Sequence, residues 1–310
     1  MKLHSAIACF ILCSNVFAQQ NTVAVVPQPA KMRILEGSFT LGNNSFIEVA
    51  GNNSDVKRIA AYLSQSLSAP TGYKIMVKDN PDGPGNSGNI HLMLNAAGDP
   101  SLGKEGYQLQ VSPNSVIMRA NQPAGLFYAV QTLLQLFPGE TEGKKKVENV
   151  KWSAPCADIT DYPRFGWRGL MFDVSRHFFT KEDVKLFIDN MVKYKYNLLH
   201  LHLTDDEGWR IQIKSLPKLT EVGAWNVKKT GTFGNFSPPA PDEPKNYGGF
   251  YTQDDIKELV QYAADRFVNI LPEVDIPGHS LAAIASYPEL SCTPGADKYR
   301  VRSGEKIMNW

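Results

Sequence analysis

Two spacings of apolar residues divide this chain. In the first half, short runs alternate apolar and polar positions, the period of a strand with one buried face. Asn89–Leu94 is strand-like. Tyr107, Leu109 and Val111 alternate with polar neighbours, Ser112-Pro113-Asn114 turns the chain, and Val116–Met118 returns, which predicts a hairpin over Gly106–Ala120. Two other stretches carry the helical spacing. Val56, Ile59, Ala60, Leu63 and Leu67 share a face opposite Asp55, Lys57 and Arg58, and Leu126, Val130, Leu133, Leu134 and Phe137 form a second stripe. The mixture predicts a small α+β unit over residues 19–155, made for packing rather than chemistry.

From Arg168 onward, strands and helices take turns. Gly169–Val174, Asn197–Thr204 and Val268–Ile276 are short apolar strands. Thr180 and Thr252 each precede a helical stripe with an aspartate three residues on, Asp183 and Asp255, a weak capping-box pattern. The stripes are Val184, Phe187, Ile188, Met191 and Val192, then Ile256, Leu259, Val260, Ala263 and Phe267. Such alternation predicts parallel βα units, whose strands need cover on both faces. The long segment with many Gly and Pro residues from Asp205 to about Phe250 favours a TIM (β/α)8 barrel over a doubly wound sheet, because loops after barrel strands tolerate insertion and carry active sites. Polar residues gather at that edge: Asp173 after the first strand, Asp205 and Asp206 after the second, Asp275 and His279 after the third. Pro138 to about Arg164 reads as a charged, proline-bearing connection, and residues 156–310 are assigned to the barrel region. A complete barrel takes roughly 250 residues. The stretch from Arg168 to Trp310 is little more than half of that and shows about three βα units, so the first part of a barrel is expected.

Charge and leader sequence narrow the setting. A formal net charge of +1 over 310 residues gives no footprint for nucleic-acid binding, and Lys144–Lys146 is too short a run for a membrane-surface role. Residues 1–18 read as a signal peptide: Lys2 supplies the positive start, Leu3–Leu12 is mostly apolar, and Val16-Phe17-Ala18 offers a cleavage site after Ala18. The apolar run is too short to span a bilayer. The expected product is exported, either periplasmic or secreted. Cys156 and Cys292 remain after cleavage; an oxidising compartment would permit a bridge, but their spacing does not show that they meet. There is no Cys-x-x-Cys pair, so neither a zinc ribbon nor a thioredoxin-like motif is supported.

Three segments carry the candidate chemistry. They are Arg168-Gly169-Leu170-Met171-Phe172-Asp173, continuing through Val174-Ser175-Arg176-His177; His200-Leu201-His202-Leu203-Thr204-Asp205-Asp206-Glu207-Gly208-Trp209-Arg210; and Pro272-Glu273-Val274-Asp275-Ile276-Pro277-Gly278-His279. In order and spacing they resemble barrel strands of the family-20 glycoside hydrolases, the β-N-acetylhexosaminidases. The Gly125–Leu133 helix resembles that family's smaller N-terminal domain, so the resemblance covers nearly all of the chain beyond the leader.

The resemblance implies roles for individual residues. Arg168 would hydrogen-bond two hydroxyls of a terminal sugar, for which a rigid guanidinium fork is suited; the alternative is an arginine that merely pairs with Asp173, itself placed among the substrate-binding residues. Asp205 and His279 would form a relay pair beside a general acid, the carboxylate fixing the imidazole tautomer; a histidine satisfied at a Pro-Gly turn is the plainer reading of His279. Asp206 could trade places with Asp205, since strand parity puts it on the face of His200 and His202, but the family pattern favours Asp205. His202 would shape the pocket floor, and Asp275 would support His279 or serve structure alone. Trp209 and Tyr251 could line the pocket or the core. Glu207 stands where the family often carries Gln. The implied partner is an oligosaccharide or glycoconjugate ending in N-acetylglucosamine or N-acetylgalactosamine, hydrolysed with retention by substrate assistance and without metal or cofactor.

The family's Asp-Glu pair sits in a His-x-Gly-Gly-Asp-Glu segment that this sequence lacks. Its Asp-Glu pairs, Asp206-Glu207 and Asp242-Glu243, follow neither Gly-Gly nor a buried strand. The residues present would therefore grip and tune, with the acid itself missing. Two rival readings follow. One is a non-catalytic sugar-binding fragment. The other is a metal-dependent barrel hydrolase using His200-x-His202, whose imidazoles share a strand face but lack an obvious further ligand set.

Overall fold

The hairpin read over Gly106–Ala120 is the centre of a seven-stranded sheet. In the computed structural model, which describes residues 23–79, 88–228 and 242–292 together with 231–232, 235–236 and 240, that sheet contains β1 (Lys31–Thr40), β2 (Phe46–Val49), β3 (Met76–Asp79), β4 (Asn89–Leu94), β5 (Tyr107–Val111), β6 (Ser115–Ala120) and β7 (Ser153–Asp161). The order is β1-β7-β5-β6-β4-β2-β3. The β1–β7, β7–β5 and β5–β6 pairs are antiparallel, and the rest are parallel. The turn at Ser112 closes with its N–H donating to the Ser115 carbonyl at 2.9 Å.

Two helices, α1 (Ser54–Thr71) and α2 (Pro123–Leu136), bury the predicted stripes. Asn53 caps α1 by accepting from the Asp55 and Val56 N–H groups, which satisfies two donors that a helix start otherwise leaves open. Close approach fixes α2 against the sheet: a Cβ on Gly125 would lie 2.3 Å from the Gly106 carbonyl oxygen.

One expected boundary moves. Residues 153–161 were assigned across a domain limit at 155/156, but they form β7, paired on both sides inside the N-terminal sheet. Pro155, which reads as a strand breaker, lies opposite Ser38 beside the register shift in β1, where an absent N–H is tolerated. The junction therefore falls after Asp161.

Beyond it, β8 (Gly169–Asp173), α3 (Lys181–Lys193) and β9 (Leu198–His202) lead into the long insertion. The insertion holds a tight hairpin of β10 (Thr204–Asp205) and β11 (Gly208–Trp209), a short α4 (Lys218–Glu221), and two small ladders. In these, β12 (Trp225–Asn226) pairs with β15 (Tyr247–Gly248), and β13 (Gly231–Thr232) pairs with β14 (Asn235–Phe236). Then follow α5 (Gln253–Ala264), β16 (Asn269–Glu273) and α6 (Leu281–Ser286). The three barrel strands are parallel, in the order β16-β9-β8. Both Thr–Asp signals are full capping boxes. Strand β9 ends at His202, earlier than the alternation suggested.

The two units share charged contacts. Glu105 accepts from Arg168 Nη1 at 2.8 Å, from Asn197 Nδ2 at 3.0 Å and from the Tyr128 hydroxyl. Asp161 holds the buried Lys195 ammonium at 2.8 Å, with the Tyr107 hydroxyl at 3.0 Å. Burial lowers the pKa of Lys195 in spite of that partner. Its backbone has φ of 62°, a left-handed conformation costing about 1 kcal/mol in a non-glycine residue, which the two side-chain contacts offset. Phe127 of α2 packs against Phe267 at 5.4 Å between ring centroids.

The leader assigned to residues 1–18 lies outside the described residues. Among those described, no helix is long and apolar enough to cross a membrane. Cys156 is buried, Cys292 is exposed, and both are free thiols.

Candidate functional site

Parallel strands end on one side, so whatever follows β8, β9 and β16 meets there. After β8, Asp173 accepts from the Ser175 and Arg176 backbone N–H groups, each at 3.0 Å. That turn folds Arg176 back, with Nη1 2.6 Å from Asp173 and Nη2 2.8 Å from Asp205. After β9, the hairpin carries Asp205 inward until only 1 % of it is exposed. Its carboxylate faces His202 Nε2 at 2.8 Å and His279 Nδ1 at 3.1 Å, and accepts from the Asp206 N–H at 2.8 Å. At the end of β16, Glu273 lies 2.5 Å from His200 Nε2 and 2.9 Å from His202 Nδ1. The Asp275 N–H donates to Thr204 Oγ1 at 2.9 Å, tying this turn to the hairpin. His279 sits at φ 52° and remains half exposed. Asp206 accepts from the Leu281 N–H at the start of α6.

Electrostatics follow from this wiring. Burial alone would lower the His202 pKa, but the carboxylates of Glu273, Asp205 and Asp173 beside its ring outweigh it, and the pKa rises. Burial likewise works to raise the Asp173 carboxyl, and the Arg176 N–H and guanidinium groups overcome it and lower the pKa. For Glu273, burial is outweighed by His202 and His200, and its pKa falls. Asp173 and Glu273 are therefore held ionised by the cations beside them, with Arg176 partly exposed and the His279 imidazole half exposed.

Glu207, at the tip of the hairpin, behaves differently. Burial, and next the charge of Asp205, push its carboxyl up to about 7, and its Oε2 is buried without a hydrogen-bond partner. A folded-state pKa above the ordinary 4.5 means the folded protein holds this proton more tightly than the unfolded chain. The associated stability is complete below pH 4.5 and is lost as pH rises through about 7. Glu207→Gln should remove that loss and raise stability at about pH 8 by on the order of 2 kcal/mol, with little change at about pH 5. Urea denaturation of both proteins at the two pH values reads this directly; equal slopes with pH would refute it.

The structure brings together Asp173, His202, Asp205, Asp206 and His279. Asp275 joins through its backbone. Trp209 is half-buried with its indole N–H donating to the Ile211 carbonyl at 2.7 Å, and the contacts around the carboxylates do not include it. Tyr251 is core, its hydroxyl donating to the Phe179 carbonyl. Arg168 requires correction. It precedes β8, at the opposite edge from the carboxylates, roughly 17 Å away along a five-residue strand. Its Nε donates to the Lys195 carbonyl and its Nη1 to Glu105 and the Phe165 carbonyl, while Nη2 is buried without a hydrogen-bond partner. The arginine of this edge is Arg176, eight residues on. Glu273 and Glu207 were also missed as site residues, although both lie in the quoted segments; register is what reveals Glu273, since β16 pairs it with His202. The strand-parity argument for Asp206 fails because β9 ends before it.

Beneath the site lies Arg210, also 1 % exposed. It donates to the carbonyls of Val174 at 3.2 Å, Ser175 at 2.6 Å, Ala224 at 2.6 Å and Gly249 at 3.2 Å. A Cβ on Gly208 would fall 2.2 Å from its Cζ, so glycine is required for the hairpin to sit over it. Desolvation lowers the Arg210 pKa to about 10, which still leaves it charged near neutrality.

As a cation site this edge is poor. Asp205, Asp206 and His279 bring ligand-type atoms within 4.8 Å of one another, but the Arg176 guanidinium already occupies Asp205 at 2.8 Å and repels a second positive charge. His202 has carboxylates on both ring nitrogens, which leaves the His200-x-His202 pair without a free donor there. What the arrangement can do is orient an imidazole through a buried carboxylate and offer a guanidinium, itself fixed by two carboxylates, to a hydroxyl-bearing ligand.

Comparison with known proteins assigns both units to one family. Residues 165–309 match the catalytic domain of glycosyl hydrolase family 20, and residues 22–162 match domain 2 of the same family, which also sets the junction after β7. A β-hexosaminidase of Porphyromonas gingivalis is 37 % identical over 90 % of this chain and 33 % of its own length, and one of Vibrio furnissii is 37 % identical over 86 % and 40 %. Among solved structures, a Streptomyces plicatus N-acetyl-β-hexosaminidase in complex with Thio-NAglucal is 39 % identical with a TM-score of 0.77, covering 91 % of this chain and 51 % of that one. This chain thus spans about a third to a half of the length of these three relatives. Both halves of the sequence point to one assignment: the chain belongs to glycosyl hydrolase family 20.

Proposed function

We propose that this chain supplies the substrate-gripping and acid-tuning part of an exo-acting β-N-acetylhexosaminidase. The substrate class is a glycan or glycoconjugate with N-acetylglucosamine or N-acetylgalactosamine at its non-reducing end. The observation that carries this is the buried Asp205 bound at once to Arg176, His202 and His279 on the C-terminal edge of three parallel strands. In this reading Arg176 replaces Arg168 as the donor to sugar hydroxyls, held in place by Asp173 and Asp205. Asp205 fixes the His279 ring, and His279 modulates a neighbouring carboxylic acid. Catalysis is retaining, with the substrate's own acetamido oxygen as nucleophile. The Asp-Glu pair that orients the acetamido group and protonates the leaving oxygen has no counterpart among these residues, whose part is to bind and tune. Export through the residue 1–18 leader is part of the same proposal.

The test has two arms. Titration with N-acetylglucosamine, followed by chemical shifts of the His279 and Arg176 side chains, should show saturable binding that Arg176→Ala weakens by about tenfold or more, the usual size of a lost charge-assisted hydrogen-bond pair. Release of chromophore from an N-acetylglucosaminide should be absent. Rapid release by this chain would overturn the division of labour, and no binding at all would overturn the site.

A further inference from the structure

In the N-terminal unit α1 and α2 cover one face of the sheet; on the other, Glu48 and His91 are buried at β2 and β4, and the face is open over β1, β7, β5 and β6. On the open face of β1, β7, β5 and β6, a groove of about 430 Å³ is lined by side chains from all four strands. Register places them in two rows. Lys31 stands opposite Thr160, Thr160 opposite Gln108, and Gln108 opposite Arg119. In the second row Arg33 stands opposite Asp158, and Asp158 opposite Gln110. Strands about 4.8 Å apart put the Lys31 and Arg119 backbones about 14 Å from each other, with a hydroxyl and an amide between.

The charges of this groove are not balanced. Three cations face one carboxylate, and Asp158 is taken by Arg33 at 2.5 Å. Lys31 and Arg119 have neither an acidic partner nor a side-chain hydrogen bond among the described residues. Arg119 is the more telling of the two, because it is half-buried and a guanidinium with restricted water access favours a planar anion.

We propose that this open sheet face binds an anionic oligosaccharide, one whose sugars carry carboxylate or sulfate groups. Anions about three strand spacings apart meet Lys31 and Arg119, and ring hydroxyls between them meet Thr160, Gln108 and Gln110. A peptide adding by backbone pairing would need a sheet edge, and those edges are β1 and β3, away from the groove's centre. A single-stranded nucleic acid would want aromatic platforms for its bases, and the groove lining contains none. The choice of a glycan over other polyanions rests on the hexosaminidase reading above; the site itself does not. Such a face would hold a charged glycan while the barrel edge, on the separate unit, engages a terminal sugar.

Calorimetric titration of the full chain with a hexasaccharide of alternating glucuronate and N-acetylglucosamine, beside the neutral N-acetylglucosamine hexasaccharide, tests this. The expected result is at least about tenfold tighter binding of the charged probe, weakening with added salt, and about a tenfold loss on joint substitution Lys31→Ala and Arg119→Ala. Saturating monomeric N-acetylglucosamine should not displace the charged probe. Displacement would move the binding to the barrel edge and overturn the proposal. Equal affinity of the double variant would also overturn it, and polyphosphate or an acidic peptide binding as tightly as the glycan would overturn the ligand class. Arg119→Lys, which keeps the charge and loses the fork, should retain part of the affinity, so a variant that merely misfolds is distinguished from one that has lost its anion contact. Failure of the neutral probe alone speaks to the hexosaminidase reading and leaves this one standing.

Discussion

Asp205→Asn is expected to lower unfolding stability by about 3 kcal/mol or more and to abolish sugar binding. The side chain is almost fully enclosed and accepts from four directions, three of them side chains that are cationic or able to become so. Asparagine keeps the volume but removes the charge and turns one accepting oxygen into a donor. Arg176 then keeps only Asp173, and His202 loses one of the three carboxylates that raise its pKa. A buried ion pair broken on one side typically costs about 3–5 kcal/mol, because the remaining charge stays desolvated. Asp206→Asn is the control. That carboxylate is a third exposed, at 33 %, and lies 3.6 Å from His279, so its loss should cost less than about 1 kcal/mol. Urea denaturation of the three proteins, with N-acetylglucosamine titration of each, separates them. Asp205→Asn within about 1 kcal/mol of the parent would show that the carboxylate is not the keystone of this edge.

Arg210→Met should destabilise by at least about 4 kcal/mol, and should weaken sugar binding without touching any group that meets the ligand. Methionine reproduces the aliphatic stem, and loses the guanidinium whose carbon lies 5.7 Å from the Phe178 ring centre. It cannot donate. The carbonyls of Val174 and Ser175 at the end of β8 and of Gly249 after β15 would be left buried without this donor, and Ala224 would keep only the Gly249 N–H. Each such orphan costs about 1–3 kcal/mol. Without that clamp the hairpin carrying Asp205 loses its seat. Thermal unfolding and amide exchange at Ser175 and Gly208 would register the change; protection there equal to the parent would refute the clamp.

Regular elements were legible because periodicity is a direct imprint of burial. The stripes of α1, α2, α3 and α5, the hairpin of β5 and β6, and the three parallel strands all follow from it. Strand β1 was not legible, since seven of its ten residues are exposed and no alternation results. Strand β7 was hidden by Pro155. At the site, residue type marked Asp205 and His279, whereas the choice between Arg168 and Arg176 needed chain direction: both flank β8, and only the second follows it. Glu273 and Arg210 required the third dimension. One becomes a partner of His202 only through strand register, and the other is a charged residue whose burial depends on carbonyls brought from distant segments.

Glu105 and Asp161, described above as anchors across the junction, bear on inheritance. Both belong to the N-terminal unit, and the cations they neutralise, Arg168 and Lys195, belong to the barrel. The barrel is consequently not a portable cassette. A recombination event that joined it to a different leading domain would strand one enclosed ammonium and one guanidinium at the base of its first two strands. The pair would have to travel together, or the newcomer would have to arrive with carboxylates already at those two places.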